Sequence, residues 1–127
     1  MEEMNLEVLS GKRILFVDDD PYTRKALERM LASRCGEVLL AEDGSAGWEL
    51  IQSDKPDLVI TDIEMPNMNG LELLEKVKEL NPAEPVVVIT AFEDEAHEAK
   101  QADAILIKPV HRESLLRTLV SVLASRV

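Results

Sequence analysis

Five short apolar runs divide the chain, and within each run the apolar residues follow one another without interruption. The runs cover residues 14–17, 38–41, 58–60, 86–89 and 104–107. Continuous runs of this length are typical of strands that are buried on both faces, as in a parallel sheet covered by helices. The pattern therefore predicts five parallel strands.

Apolar residues at helical spacing lie between and after these runs. They form stripes within residues 26–31, 71–80 and 115–123, which predict amphipathic helices. Residues 45–53 are predicted to form another helix with Ser45 as its N-cap, and residues 93–100 a short, polar one. The order is strand then helix, five times over. With right-handed crossovers, this order predicts an α/β fold, a doubly wound (βα)5 sandwich.

Length and charge limit the function classes. The chain has 127 residues and a net charge of −11, which suits one domain and disfavours non-specific binding to nucleic acid or anionic membranes. A single cysteine excludes an internal disulfide, and no signal peptide or membrane-spanning run is evident. We therefore expect a soluble, cytoplasmic protein, with residues 1–11 as an N-terminal arm and residues 12–127 as the domain.

Candidate chemistry follows four of the predicted strands, at the edge where such sheets bind ligands. The first strand is followed by three carboxylates, the third ends in Asp62, the fourth in Thr90, and Lys108 follows the fifth. Neighbouring carboxylates resist full ionisation unless a cation lies among them, and Mg²⁺ prefers oxygen ligands. A lysine and a hydroxyl beside them suit a phosphate, so one carboxylate is a candidate nucleophile towards phosphorus.

Residues 12–127 resemble a receiver domain of two-component response regulators, of the chemotaxis-receiver type. The motifs are ILFVDDDP at residues 14–21, DIEMPNMNG at 62–70, VITA at 88–91 and IKP at 107–109. The resemblance implies a flavodoxin-like fold whose five parallel strands take the order 2-1-3-4-5. This order places the first strand beside the third.

The resemblance further implies a role for each site residue. Asp62 would accept a phosphoryl group, and Mg²⁺ would be held by Asp18, Asp19, Asp62 and the backbone carbonyl of Glu64. Thr90 would be the switch hydroxyl and Lys108 the partner of the phosphate. Asp20 would not be a ligand.

The implied function is a phosphoacceptor signalling domain rather than a conventional enzyme, since it catalyses only its own phosphorylation and dephosphorylation. Its donor would be a sensor histidine kinase or a phosphotransfer protein, and its target an effector protein or a fused output domain. A phosphorylation-dependent dimer would be compatible with this function, whereas direct contact with nucleic acid or membrane is not expected. Two alternatives stay open: a Mg²⁺-dependent phosphohydrolase with an aspartate nucleophile, and a degenerate receiver that only binds partners.

The chain departs from the family pattern near its fourth helix. Ile105 stands where the family usually has an aromatic residue that moves together with the switch hydroxyl. The interval from Thr90 to Lys108 is about one helical turn shorter than usual, which predicts a shortened fourth helix. The acidic residues 93–98 are expected to form a solvated face.

Overall fold

The computed structural model describes residues 5–125, and its strands coincide with the five apolar runs. The strands are β1 (Arg13–Val17), β2 (Glu37–Ala41), β3 (Leu58–Asp62), β4 (Val86–Thr90) and β5 (Ala104–Ile107). The helices are α1 (Pro21–Leu31), α2 (Gly44–Asp54), α3 (Gly70–Leu80), α4 (Glu93–Ala96) and α5 (Arg112–Ala124).

All strand pairs are parallel, and the strands lie in the order β2-β1-β3-β4-β5. The predicted fold and strand order are therefore confirmed. Val17 lies opposite Thr61, and Thr90 lies opposite Ile107. In this register the carboxyl ends of β1, β3, β4 and β5 lie side by side. The segments that follow these strands therefore lie along the same edge of the sheet.

Two apolar layers cover the two faces of the sheet. One layer packs α1 and α5 against alternate strand residues such as Phe16 and Ile60, and the other packs α2 and α3 against Leu15 and Val59. Burial on both faces explains the uninterrupted apolar runs of the central strands β1, β3 and β4, whereas the edge strands β2 and β5 are only partly buried. Within residues 5–125, no helix combines the length and apolar character needed to cross a bilayer.

The described part of the predicted N-terminal arm lies against the domain. Residues Leu6–Leu9 form a 3₁₀ turn, and Leu9 is fully buried in the layer that contains α5. The segment just before β1 is therefore packed rather than loose, while the predicted domain boundary after residue 11 stays a prediction. Residues 1–4 and 126–127 of the predicted arm and domain lie outside the described residues.

The N-cap of α2 differs from the predicted one. The predicted cap is Ser45, but the side chain of Asp43 accepts a hydrogen bond from the backbone N–H of Ala46 at 2.8 Å. Asp43 also accepts a hydrogen bond from the side-chain amide of Asn67 at 2.7 Å. This second bond ties the β2–α2 loop to the β3–α3 loop, a long-range contact that local sequence does not contain.

The fourth helix is short, as predicted. It has four residues and leaves the side chains of Ile105 and Ile107 on the outer face of β5 37% and 40% exposed. Phe92, just before the helix, is 55% exposed. The usual role of a crossover helix, to cover the strand that follows it, is therefore only partly fulfilled here.

Asp103 anchors the start of β5 in place of a longer helix. Its backbone N–H donates to the carbonyl of Val86 at 2.8 Å, and its carboxylate accepts from the backbone N–H of Val86 at 2.8 Å. The same carboxylate pairs with the ammonium of Lys78 on α3 at 2.8 Å. The side chain of Lys78 is almost fully buried and also donates to the carbonyls of Pro82 and Glu84.

Candidate functional site

The carboxyl ends of the strands bring the predicted residues together. Asp18 follows β1, Asp62 ends β3, Thr90 ends β4 and Lys108 follows β5. The ammonium of Lys108 lies 2.9 Å from Asp62 Oδ2 and 3.6 Å from Asp18 Oδ2. One lysine thus joins carboxylates that are far apart in sequence.

Asp62 is held from its own backbone and from α3. Its Oδ1 accepts a hydrogen bond from the N–H of Ile63 at 2.7 Å, and the backbone N–H of Gly70 donates to the carbonyl of Ile63 at 2.7 Å. A Cβ atom on Gly70 would collide with the carbonyl oxygen of Asp62. Only glycine permits this close approach, which explains the glycine eight positions after the aspartate.

Asp18 is fully buried and incompletely partnered. Its Oδ1 accepts from the N–H of Asp20 at 2.9 Å, whereas its buried Oδ2 has no hydrogen-bond partner within residues 5–125 and faces Lys108 only at ion-pair distance. Burial raises the pKa of Asp18 to about 6, although the Asp20 amide and the Lys108 charge act in the opposite direction. The cost of burying the Asp18 carboxylate is therefore larger than the stabilisation that the Asp20 amide and the Lys108 charge give it.

The surroundings of Asp18 fit a divalent cation. Asp18, Asp19 and Asp62 each offer a carboxylate oxygen, and these atoms lie within 4.8 Å of one another. Oxygen-only donors of this kind suit Mg²⁺, and a cation there would satisfy the unpartnered Asp18 oxygen. Glu64, whose carbonyl is the fourth predicted ligand, lines the same cleft.

Asp20 has a different role from its two neighbours. It is the N-cap of α1, since its carboxylate accepts from the N–H of Tyr22 at 3.1 Å and from the hydroxyl of Thr23 at 2.6 Å. These bonds, the Thr23 hydroxyl first, lower the pKa of Asp20. The third carboxylate after β1 thus caps a helix, and its exclusion from the metal ligands stays a prediction.

Thr90 is buried at the rim of the cleft, with its hydroxyl bonded away from Asp62. The hydroxyl donates to Glu95 Oε1 at 2.9 Å and accepts from the N–H of Phe92 at 3.1 Å. Its backbone carbonyl accepts from the N–H of Lys108 at 2.8 Å. The structure therefore places Thr90 beside the other site residues, but with its hydroxyl held by α4.

Glu95 is the site residue that the sequence analysis missed. The sequence pattern favours a solvated face for it, yet it is half-buried and reaches the Thr90 hydroxyl from the single turn of α4. A shared hydrogen bond with Glu95 and the charge of that carboxylate raise the pKa of Glu64. The sequence does contain one indication of this contact. Glu95 lies five residues after Thr90, on the predicted short helix, and is therefore close enough to reach back to the end of β4.

Two clefts flank Lys108. A polar cleft of about 280 Å³ is lined by Asp19, Asp62, Glu64, Thr90, Ala91, Phe92, Glu95 and Lys108. A larger groove of about 560 Å³ lies between α1 and the β5–α5 loop and is mostly apolar, with Tyr22, Met30 and Val110 in its lining. Asp19, Asp62, Thr90 and Lys108 line the polar cleft, whereas Lys108 is the only charged residue among the described lining of the groove.

Known proteins share both the sequence pattern and the fold. A sequence model of the family described as "Response regulator receiver domain" matches residues 14–120. Over 116 residues the chain is 40% identical to the "Regulator of RpoS" of Escherichia coli (strain K12), a match that covers 88% of this chain and 34% of that protein. The chain thus spans about a third of the length of this curated relative.

Two solved structures show the same likeness. The response regulator receiver domain protein (CheY-like) of Methanospirillum hungatei JF-1 has a TM-score of 0.86 at 31% identity, covering 92% of this chain and 97% of that one. The response regulator TrrA of Thermotoga maritima, solved in complex with Mg²⁺ and BeF, has a TM-score of 0.83 at 30% identity, covering 87% and 98% of the two chains.

Proposed function

The chain belongs to the response regulator receiver domain family, and we propose that it accepts a phosphoryl group on Asp62 and changes conformation to control a partner. The observation that carries the proposal is the contact of Lys108 with Asp62 at 2.9 Å, beside the buried Asp18. These groups are those needed to hold a transferring phosphoryl group and to neutralise its charge.

The donor that we propose is a phosphohistidine of a sensor histidine kinase or a phosphotransfer protein. A carboxylate oxygen of Asp62 forms a bond to phosphorus while the P–N bond of the phosphohistidine breaks, and the imidazole leaves with that electron pair. The product is an acyl phosphate. Water that later attacks the phosphorus would release inorganic phosphate and regenerate the carboxylate.

Lys108 keeps its positive charge throughout this exchange. Burial opposes the charged form, but the hydrogen bond to Asp62 and the charges of Asp62 and Asp18 raise the pKa of Lys108. The ammonium can therefore move from the free carboxylate to the phosphoryl oxygens. Ala91 next to Thr90 is exposed and small, which leaves room for the group.

Mg²⁺ is the cofactor that fits the carboxylates. We propose Asp18, Asp19, Asp62 and the carbonyl of Glu64 as its protein ligands, and bound Mg²⁺ would supply positive charge to the phosphoryl oxygens. The unpartnered oxygen of Asp18 and the close set of three carboxylates support this assignment.

Receiver domains are signalling domains, and their relatives here are regulators. We propose a cytoplasmic location, an effector protein or a fused output domain as the target, and no direct contact with nucleic acid or membrane. The net charge of −11 supports the last point. A dimer that forms on phosphorylation is compatible with this proposal. The phosphohydrolase alternative is disfavoured, because its second aspartate would be Asp20, which caps α1.

The test is phosphorylation by acetyl phosphate in Mg²⁺, followed by intact-mass measurement. We expect the mass of one phosphoryl group to be added to the wild-type protein, and the gain to disappear in Asp62→Ala and on chelation of Mg²⁺. Asp94→Ala, which removes an exposed carboxylate of α4, is the matched control and should be modified normally. A modification of Asp18 that persists in Asp62→Ala would favour the phosphohydrolase, and no modification would favour a binding-only receiver.

A further inference from the structure

The hydrogen bond between Thr90 and Glu95 is unexplained by the function proposed so far. It joins a buried hydroxyl at the end of β4 to the only α4 carboxylate that is half-buried, at a distance of 2.9 Å. The other two acidic residues of that helix, Glu93 and Asp94, are exposed. The contact thus distinguishes Glu95 from the other two carboxylates of the helix.

We propose that Glu95 is a positioning residue that holds the Thr90 hydroxyl in the unphosphorylated state and must release it when Asp62 carries a phosphoryl group. The inference rests on the proposed function, since it concerns the response to a phosphoryl group on Asp62. We call the hydrogen bond from Thr90 Oγ1 to Glu95 Oε1 the Glu95 latch.

The latch opposes the phosphorylated state in two ways. A hydroxyl has one proton, and the proton that Thr90 donates to Glu95 is not available to a phosphoryl oxygen. The Glu95 carboxylate also lines the same cleft as Asp62, so that a phosphoryl dianion on Asp62 repels it. Phosphorylation therefore favours breaking of the latch, and an intact latch disfavours phosphorylation by the same free energy.

The latch also gives α4 a direct means to sense the site. Ile105 is aliphatic and about a third exposed, so no aromatic ring at that position moves with Thr90. Glu95 provides a connection in its place, because it lies on the helix itself and contacts the hydroxyl without an intermediary. Release of Glu95 would free the single turn of α4, which has no side-chain N-cap bond to hold its start.

Beryllofluoride in saturating Mg²⁺ is the probe, because it imitates the phosphoryl group without being hydrolysed. We expect Glu95→Ala to bind it about tenfold more tightly than the wild type, the effect of one hydrogen bond to a charged group. Glu93→Ala removes the same charge from an exposed position of the same helix and should bind as the wild type does. The Phe92 amide resonance, which reports on the Thr90 hydroxyl, should shift in metal-free Glu95→Ala towards its position in the beryllofluoride complex.

The Thr90→Val background separates the latch from simple charge repulsion. If Glu95 acts through the hydroxyl, Glu95→Ala should have at least about threefold less effect on affinity in that background. An equal effect in both backgrounds, or no effect in the wild type, would overturn the inference alone. A wild-type protein that binds no beryllofluoride would overturn the proposed function, and the latch with it.

Discussion

Replacement of Asp18 by asparagine should stabilise the metal-free protein, by an amount that depends on pH. Asp18 is fully buried, and burial raises its pKa from 3.8 to about 6. The folded protein therefore binds its proton more tightly than the unfolded chain does. Tighter binding of this proton stabilises the folded protein. The stabilisation is complete below pH 3.8 and is lost as the pH rises through about 6, where Asp18 ionises in the folded state.

The magnitude follows from the same two pKa values. At about 1.36 kcal/mol for each pKa unit, ionisation of buried Asp18 costs the folded state about 3 kcal/mol at neutral pH. The asparagine side chain carries no charge and avoids this cost. The stability difference between Asp18→Asn and the wild type should therefore grow from less than about 1 kcal/mol near pH ~4 to about 3 kcal/mol above pH ~7.

Urea denaturation in the presence of a chelator, followed by the fluorescence of Trp48, measures this difference at each pH. Asp94→Asn, at an exposed site, should differ from the wild type by less than about 0.5 kcal/mol throughout. Mg²⁺ at about 100 times its Kd should add about 2.7 kcal/mol to the wild type and much less to Asp18→Asn. A difference that does not change between pH ~4 and ~8 would refute the assignment of the cost to the buried charge.

Two further substitutions test how the scaffold holds the site. Gly70→Ala should destabilise the protein by about 1–3 kcal/mol in urea denaturation and slow phosphorylation, because the new Cβ collides with the Asp62 carbonyl; wild-type behaviour in both assays would contradict the close approach. Lys78→Ala should cost about 1–3 kcal/mol in the same denaturation assay, because it removes the buried ammonium that bonds to the carbonyls of Pro82 and Glu84 and pairs with the partly exposed Asp103 carboxylate. The exposed Lys100→Ala is its control, and equal losses in both variants would argue against the ion pair.

The sheet was predictable because its signal is local. Runs such as residues 86–89 are short, apolar throughout and rich in β-branched residues, a pattern typical of strands buried on both faces. Five of them alternating with helical stripes leave few topologies once the crossovers are right-handed. The strand order itself came from the family resemblance, and the structure confirms it.

The composition of the cleft was predictable from where the strands end, but its connections were not. Asp18, Asp62 and Lys108 lie together because parallel strands end at one edge, which the order of elements already implies. The Glu95 contact depends on how a shortened helix turns after β4, and the burial of Asp18 depends on packing from several elements. The roles of these residues in phosphoryl transfer stay predictions until the experiments above are done.

The cap of α2 shows the same limit on a smaller scale. Ser45 and Asp43 are both good N-cap residues by type, so local sequence does not choose between them. The hydrogen bond from Asn67, which lies in the β3–α3 loop, favours Asp43 as the cap. A helix boundary that depends on contacts between loops therefore cannot be predicted from the local sequence, even where the helix itself can.

The Asp103 anchor determines how far a rearrangement at the site can spread. Residues 91–102 are bounded by the end of β4 on one side and, on the other, by Asp103, which is bonded to Val86 and Lys78. These bonds would hold β5 against β4 if residues 91–102 reorganised. In the switching that we propose, the change would therefore be confined to residues 91–102, and this sheet edge could present a different shape to a partner while the sheet itself stays folded.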